Sequence, residues 1–215
     1  MTESPSDLPD RILDTALVLA QEHGWESIRL HEIAGVLGIS LDEIRQYYRE
    51  KEDLVDAWFD RADAAMLKEA ELAGFESLPV RQKLHRLIMV WLGALAPYRR
   101  VTRQMLVNKL EPGHLHVQIP ALLRISRTVQ WLREAAGMTA SWTRRAFEES
   151  TLTGIYLLTF SGWLLDDSPR ADKTRRCLDR LLGIAEKLAC GSPWRQHRPA
   201  TSATVAAHPD APGSA

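Results

Sequence analysis

The residues of this 215-residue chain that could make or break bonds are few and poorly spaced for it. The seven histidines are His23, His31, His85, His114, His116, His197 and His208. His114 and His116 lie two apart in a predicted loop after Pro112-Gly113, and two imidazoles with no third ligand at a recognised spacing do not make a zinc site. Asp166 and Asp167 form a carboxylate pair at a predicted helix end. Adjacent residues on a helix point apart, so the two are not placed for paired acid–base work. Cys177 and Cys190 are thirteen apart, carry no metal-ligand spacing with histidine, and read as two reduced thiols. No Gly-x-x-x-x-Gly-Lys loop, Gly-x-Ser-x-Gly elbow or His-Glu-x-x-His pair occurs. An enzyme is therefore the poorest reading, and no metal or cofactor is implied.

Two basic runs are more suggestive. Arg99, Arg100 and Arg103 sit at one predicted helix start and Arg175, Arg176 and Arg180 at another. Each is either a solvated face or the complement of an anionic partner, a lipid headgroup or acidic ligand among them.

The elements that must position these groups are helices throughout. Hydrophobic residues make up 45% of the chain and charged residues 26%, enough apolar material for a packed core. The acidic, polar start (Met1–Asp10) lacks the basic-then-apolar pattern of a secretory signal. The longest uncharged stretch, Ser150–Leu165, is shorter than the ~20 apolar residues a bilayer needs. The expectation is a cytoplasmic protein.

No period-2 run flanked by hairpin turn residues is present, whereas apolar residues recur at helical spacing. The spacing predicts an all-α fold of about nine helices, near Asp10–His23, Leu30–Leu37, Leu41–Tyr48, Lys51–Ala73, Val80–Leu95, Tyr98–Leu110, Pro120–Ala136, Ala140–Leu165 and Ala171–Ala189. Glycines and prolines punctuate them, and Pro120 is expected in the first turn of its helix. After Gly191 the composition shifts to Pro, Ala, Ser and Thr, so 192–215 reads as a disordered tail. The remainder divides into 1–54 and 55–191.

Within 1–54, Leu30–Arg49 has the make-up of a helix-turn-helix. Two short helices crossing at close range need a small residue on the first, supplied by Ala34, and a turn residue tolerant of positive φ, supplied by Gly38. Ile33, Leu37, Ile39 and Ile44 face inward. Ser40 caps the second helix, with Glu43 in the capping-box position.

The segment from Ile12 to about Leu54 resembles the TetR family of bacterial regulators. The likeness is carried by Ala16, Gly24-Trp25, Ile33-Ala34, Leu37-Gly38-Ile39-Ser40, Ile44, Tyr47-Tyr48 and Lys51-Glu52-Asp53-Leu54. The resemblance implies a helix-turn-helix headpiece on a larger helical body that binds a ligand and a second copy of the chain. It also implies that the helix after Gly38 enters the major groove of operator DNA. Arg45, Gln46 and Tyr47 would then face the DNA, Lys51 would meet a phosphate, and Ser40 with its helix start would assist. Arginine and glutamine read base edges through bidentate hydrogen bonds. Charge works the other way: residues 1–54 hold five basic against twelve acidic residues, while duplex affinity is dominated by phosphate neutralisation.

In the second segment Met89, Trp91, Met105, Leu106, Trp131, Phe147, Tyr156, Phe160 and Trp163 fall on apolar faces. Large and flexible side chains of this kind either fill a core or line an apolar cavity between helices. Met89, Trp91, Met105, Trp131, Tyr156, Phe160 and Trp163 are the candidate lining of a ligand pocket. The predicted helix through Ser150–Leu165 is apolar nearly all round and should be enclosed, in either a pocket or a buried dimer seam.

This half also resembles the TetR-fold lipid-binding proteins of coenzyme Q biosynthesis, on Leu152-Thr153-Gly154-Ile155-Tyr156, Thr159, Trp163-Leu164, Asp166-Asp167-Ser168, Thr174 and Leu178-Asp179-Arg180. Two readings follow. The first is a homodimeric, ligand-responsive repressor whose small apolar ligand alters the separation of paired headpieces. The second is a lipid- or quinone-binding accessory protein with a vestigial headpiece and membrane association. A plain dimeric scaffold is the third and least of the readings.

Overall fold

The computed structural model describes residues 8–109, 115–138 and 142–188. Among them the chain folds into nine α-helices and no strand. They are α1 (Leu8–His23), α2 (Leu30–Leu37), α3 (Leu41–Tyr47), α4 (Lys51–Ala70), α5 (Val80–Leu95), α6 (Arg99–Lys109), α7 (Leu115–Ala135), α8 (Trp142–Leu164) and α9 (Asp172–Leu188). Single 3-10 turns, Ala96–Tyr98 and Pro169–Ala171, lead into α6 and α9. The tail read as 192–215, together with His114 and Cys190, lies outside the described residues.

The first helix follows from its apolar stripe. Ile12, Leu13, Ala16, Leu17 and Ala20 are all buried, and α1 stops at Gly24, where φ is +89°. Its inner face packs against α2, α3, α4 and α6. Helix α4 runs straight through the expected boundary after residue 54, so headpiece and body share one continuous helix. Their cores are continuous too: one cluster of buried side chains extends from Ile12 in α1 to Ala185 in α9.

Helix α4 packs chiefly against α5, and its side chains fasten it to α6, α1 and α5. The Trp58 indole donates to Thr102 Oγ1 on α6 at 2.9 Å. Arg61 bridges Asp10 and Asp14 on α1 at 2.9 and 2.5 Å. Arg86 on α5 pairs with Glu69.

Two boundaries differ from expectation. Helix α7 begins at Leu115, so Pro120 sits at its sixth position rather than in the first turn. The hydrogen bond that a proline omits there is the one to the carbonyl of His116, itself inside the opening turn, so only the start of the helix is loosened. Helix α4 ends at Ala70, not Ala73, because the amides of Glu71 and Leu72 bond three residues back, to Lys68 and Glu69, and tighten the chain out of the α-helix.

The carboxylate of Asp166 joins the end of α8 to the start of α9. One oxygen accepts from the Ser168 amide at 2.9 Å and from its hydroxyl, and the other from the amide and hydroxyl of Thr174 at 2.8 and 2.7 Å. Asp167 is exposed and takes no part in these bonds.

Candidate nucleic-acid interface and the core behind it

The turn between α2 and α3 is held by its backbone. Gly38 adopts φ +67°, and the Ile39 amide closes the helix end on the Ala34 carbonyl at 3.1 Å. A Cβ built on Gly38 meets nothing within 4 Å, so the demand for glycine there is conformational rather than spatial. Ile33 and Ile44 are fully buried beneath the turn.

Ser40 then caps α3 as expected. Its hydroxyl accepts from the Glu43 amide at 3.2 Å, and the Glu43 carboxylate accepts from the Ser40 amide and hydroxyl at 2.8 Å each. These bonds hold the Glu43 carboxyl below the usual carboxylate range. With one side of α3 anchored by Ile44, the side chains of Arg45, Gln46 and Tyr47 all stand exposed. Tyr48 turns the other way, is buried, and donates its hydroxyl to the Pro9 carbonyl at 3.1 Å. That burial pushes its pKa up to about 12.

Asp42 and Arg45, three apart, pair on the exposed side of α3 through bonds of 2.8 and 2.6 Å from the guanidinium Nε and Nη2. The hydrogen bond and charge of Arg45 lower the Asp42 pKa. An exposed pair of this kind is weak and exchanges readily for another acceptor.

The Lys51 ammonium, half-buried, turns back toward the headpiece loop. It donates to the carbonyls of Trp25 and Glu26 at 2.5 and 3.3 Å and lies 5.0 Å from the Trp25 ring centroid. Desolvation lowers its pKa. The amide of the same Trp25 donates to Gln104 Oε1 on α6 at 2.9 Å. One loop residue thus links the start of α4 to α6 of the body. Gln104 was not anticipated, and a bond reaching 79 residues along the chain leaves no local signal.

Of the seven side chains read as pocket lining, Trp91, Tyr156, Phe160 and Trp163 meet. Trp91 stands edge-on to Tyr156 and Phe160, at 5.2 Å between centroids in each case, and Phe160 stacks on Trp163 at 6.0 Å. Phe59 on α4 stacks on Trp91 at 5.9 Å. These rings pack against one another. Met105 is buried on α6, and Met89 is half-buried on α5. Trp131 does not join them: it is 45% exposed on the outer side of α7, because Val129, Leu132 and Arg133 take the inward positions of that helix.

Beside the rings lies a buried polar group that the sequence reading missed. Asp63 accepts from the Trp91 indole at 2.7 Å, from the Thr128 hydroxyl at 3.1 Å and from Arg124 at 3.2 Å. Arg124 also reaches Asp60 at 2.5 Å. Burial raises the Asp63 pKa despite these donors, and burial raises that of Tyr156, whose hydroxyl bonds Thr128. The group ties α4, α5, α7 and α8 together. Its signal in the sequence is one carboxylate within the apolar register Leu54, Val55, Trp58, Phe59, Ala62, Met66 of α4. Two buried atoms here, Arg124 Nε and Thr159 Oγ1, have no hydrogen-bond partner among the described residues.

The fold is shared with solved structures. A TetR transcriptional regulator from Nitrosomonas europaea ATCC 19718 is 55% identical over 83% of this chain and 98% of its own, with a TM-score of 0.75. The chain belongs to the TetR family. A TetR transcriptional regulator from Rhodococcus sp. RHA1 shares the fold at 19% identity, over 80% of this chain and 94% of its own, with a TM-score of 0.59. A TetR-like transcriptional regulator from the same organism does so at 21% identity, over 86% and 100%, with a TM-score of 0.51. No protein-family model and no curated protein matches the sequence.

Within the single chain this TetR-family protein encloses one side of α8. Its inner side buries Leu152, Ile155, Tyr156, Thr159, Phe160 and Trp163, while Phe147 and Leu158 stand 57% and 61% exposed on the other. Leu165, just past its end, is exposed as well, as are Ile184 and Leu188 on α9, which packs beside α8. Among the described residues no helix is long and apolar enough to cross a membrane.

Proposed function

We propose that this TetR-family protein is a dimeric, ligand-responsive transcriptional repressor that acts in the cytoplasm and binds operator DNA through α3. The observation that carries the reading is the exposure of Arg45, Gln46 and Tyr47 along one short helix whose opposite side, at Ile44, is locked into the headpiece core. A capped, rigid helix with protruding bidentate donors is what base readout in the major groove needs. Arg45 exchanges Asp42 for a base or phosphate on binding. The exposed apolar sides of α8 and α9 pair with those of a second copy, which places two α3 helices on one duplex face. Half-sites one helical turn apart, ~34 Å, then set the productive spacing.

The effector is a small, largely apolar molecule that enters among the aromatic side chains of α4, α5 and α8. Phe59, Trp91, Tyr156 and Phe160 offer it apolar surface, and the Asp63–Arg124–Thr128 group offers it polar contacts. Arg124 Nε and Thr159 Oγ1, buried and without partners among the described residues, would meet its polar atoms. Because Asp63 lies on α4, rearranging this group moves the helix that carries the headpiece, and unequal affinity for two dimer shapes drives release from DNA. No reaction is assigned to the chain.

The test is a gel shift with purified full-length protein and the region upstream of its own gene, competed with unrelated DNA. The reading expects a discrete shifted species with two chains per duplex that survives competition. A shift abolished by unrelated DNA, or none, contradicts it. Co-purified quinone or phospholipid together with no shift would favour the lipid-binding alternative.

A further inference from the structure

Between headpiece and body lies a cleft of about 460 Å³, lined by His23, Gly24, Trp25, Glu26, Ser27, Arg100, Arg103 and Gln104. It belongs neither to the exposed side of α3 nor to the aromatic core. One wall is the end of α1 and the loop into α2; the other is the first two turns of α6.

The three arginines that open α6 have different fates. Arg99 donates to the carbonyls of Trp163 and Asp166 at the end of α8, so folding accounts for it. Arg100 and Arg103, three apart and therefore on one side of the helix, face the cleft, and among the described residues neither has a hydrogen-bond or ion-pair partner. They add positive charge to the first turns of a helix that has no acidic residue in its opening turn, where the macrodipole disfavours cations. Glu26 is the single carboxylate of the lining, against two guanidiniums and the imidazole of His23. Folding does not require that excess of positive charge, but an anion would use it.

We propose that this cleft is a binding site for a small, multiply charged anion of the phosphate-ester or polycarboxylate class, gripped by Arg100 and Arg103. Two guanidinium forks match paired carboxylate or phosphate oxygens, and the volume falls in the range of small-molecule sites. Gln104 fixes the opposite wall through its bond to the Trp25 amide, so the site is shaped before the anion arrives. An anion held there joins α6 to the α1–α2 loop and stiffens the seam across which headpiece and body meet. Any consequence for operator affinity rests on the DNA-binding reading above; the site itself does not.

The test is isothermal titration of the full-length protein, without DNA and at low ionic strength, using pyrophosphate and citrate as probes. The expected result is saturable binding of at least one of them at one site per chain, weakened about tenfold or more in Arg100→Ala/Arg103→Ala. Glu26→Gln should tighten it. Both replaced arginines are exposed, so the double variant should melt with the wild type. Backbone hydrogen exchange in the segment 23–28 should slow when the anion is bound. Absence of saturable binding by both probes, or binding unchanged in the double variant, overturns the proposal. So does a double variant whose only defect is a smaller salt dependence of DNA binding, which would assign the arginines to the duplex backbone. Since the titration contains no DNA, its failure leaves the operator reading standing, and a failed gel shift leaves the anion site standing.

Discussion

Lys51, the first residue of α4, reaches back across the headpiece and donates its ammonium to the carbonyl of Trp25 at 2.5 Å. That bond fastens the long helix of the body to the loop that precedes the helix-turn-helix, and it occupies a cation that the family resemblance would send to a DNA phosphate. The two roles separate by measurement. Lys51→Met should lower stability by about 1–2 kcal/mol, because it leaves a part-buried carbonyl without its donor. The slope of log affinity against log salt for operator binding should change by much less than the ~1 unit that loss of a phosphate contact produces. Thermal melting and salt-dependent anisotropy check the two parts.

Gly38 carries the turn for conformational reasons alone. Gly38→Ala should cost about 1–2 kcal/mol, the penalty of a left-handed residue, and Gly38→Asn less, since asparagine visits that region more readily. Denaturant titration of both variants reads the order directly. Equal cost would mean that space rather than backbone dictates the glycine.

The hydrogen bonds to Asp166 predict a pH dependence. Burial by itself would raise its pKa, but the four bonds from Ser168 and Thr174 outweigh burial and hold the carboxyl well below the usual carboxylate range. The folded pKa is depressed, so this contribution to stability is fully present above the unfolded value of ~3.9 and is lost as pH falls below it toward the folded one. Asp166→Asn should therefore be less stable than wild type at neutral pH, and the gap should close on acidification below about pH 4. Urea titrations from pH 7 to pH 2.5 test it; a gap independent of pH refutes the assignment.

The open apolar side of α8 predicts self-association. Leu158→Glu should convert a dimer into a monomer of unchanged helicity, seen as a halving of mass in multi-angle light scattering. A charge at a position that is already exposed in the single chain costs little within that chain.

Asp63 and Arg124 are buried together, so removing one should cost more than removing both. Asp63→Ala leaves the buried Arg124 guanidinium with only its Asp60 pairing and removes the acceptor of Trp91 and Thr128, so it should destabilise by about 3 kcal/mol, whereas adding Arg124→Leu should recover part of the loss. Melting the single and double variants measures the coupling.

Much of this structure is legible from one-dimensional pattern. Helices α2 and α5 fall where spacing places them, since Gly38 and the Pro79–Val80 start punctuate strong apolar periodicity. The Ser40–Glu43 box is local and readable. What resists reading is set by distant partners. Nothing near Lys51 shows that Trp25 captures it, and Gln104 bonds across 79 residues. Trp131 misleads because its helix turns Val129, Leu132 and Arg133 inward instead. Periodicity identifies a tryptophan as apolar but not which side of α7 the core occupies. Asp63 stays hidden for the opposite reason, as a charge in a buried register whose compensating Arg124 lies on another helix.

The central claim is that the exposed side of α3 reads operator DNA. The most direct measurement is fluorescence anisotropy of the full-length protein on its own upstream region, compared with a scrambled duplex at the same salt, for wild type and Gln46→Ala. The account predicts wild-type affinity for the operator at least ~10³-fold tighter than for the scrambled duplex, and a loss of about 1–3 kcal/mol in Gln46→Ala confined to the operator. Equal affinity of the wild type for both duplexes, or an equal loss on both in the variant, would contradict it.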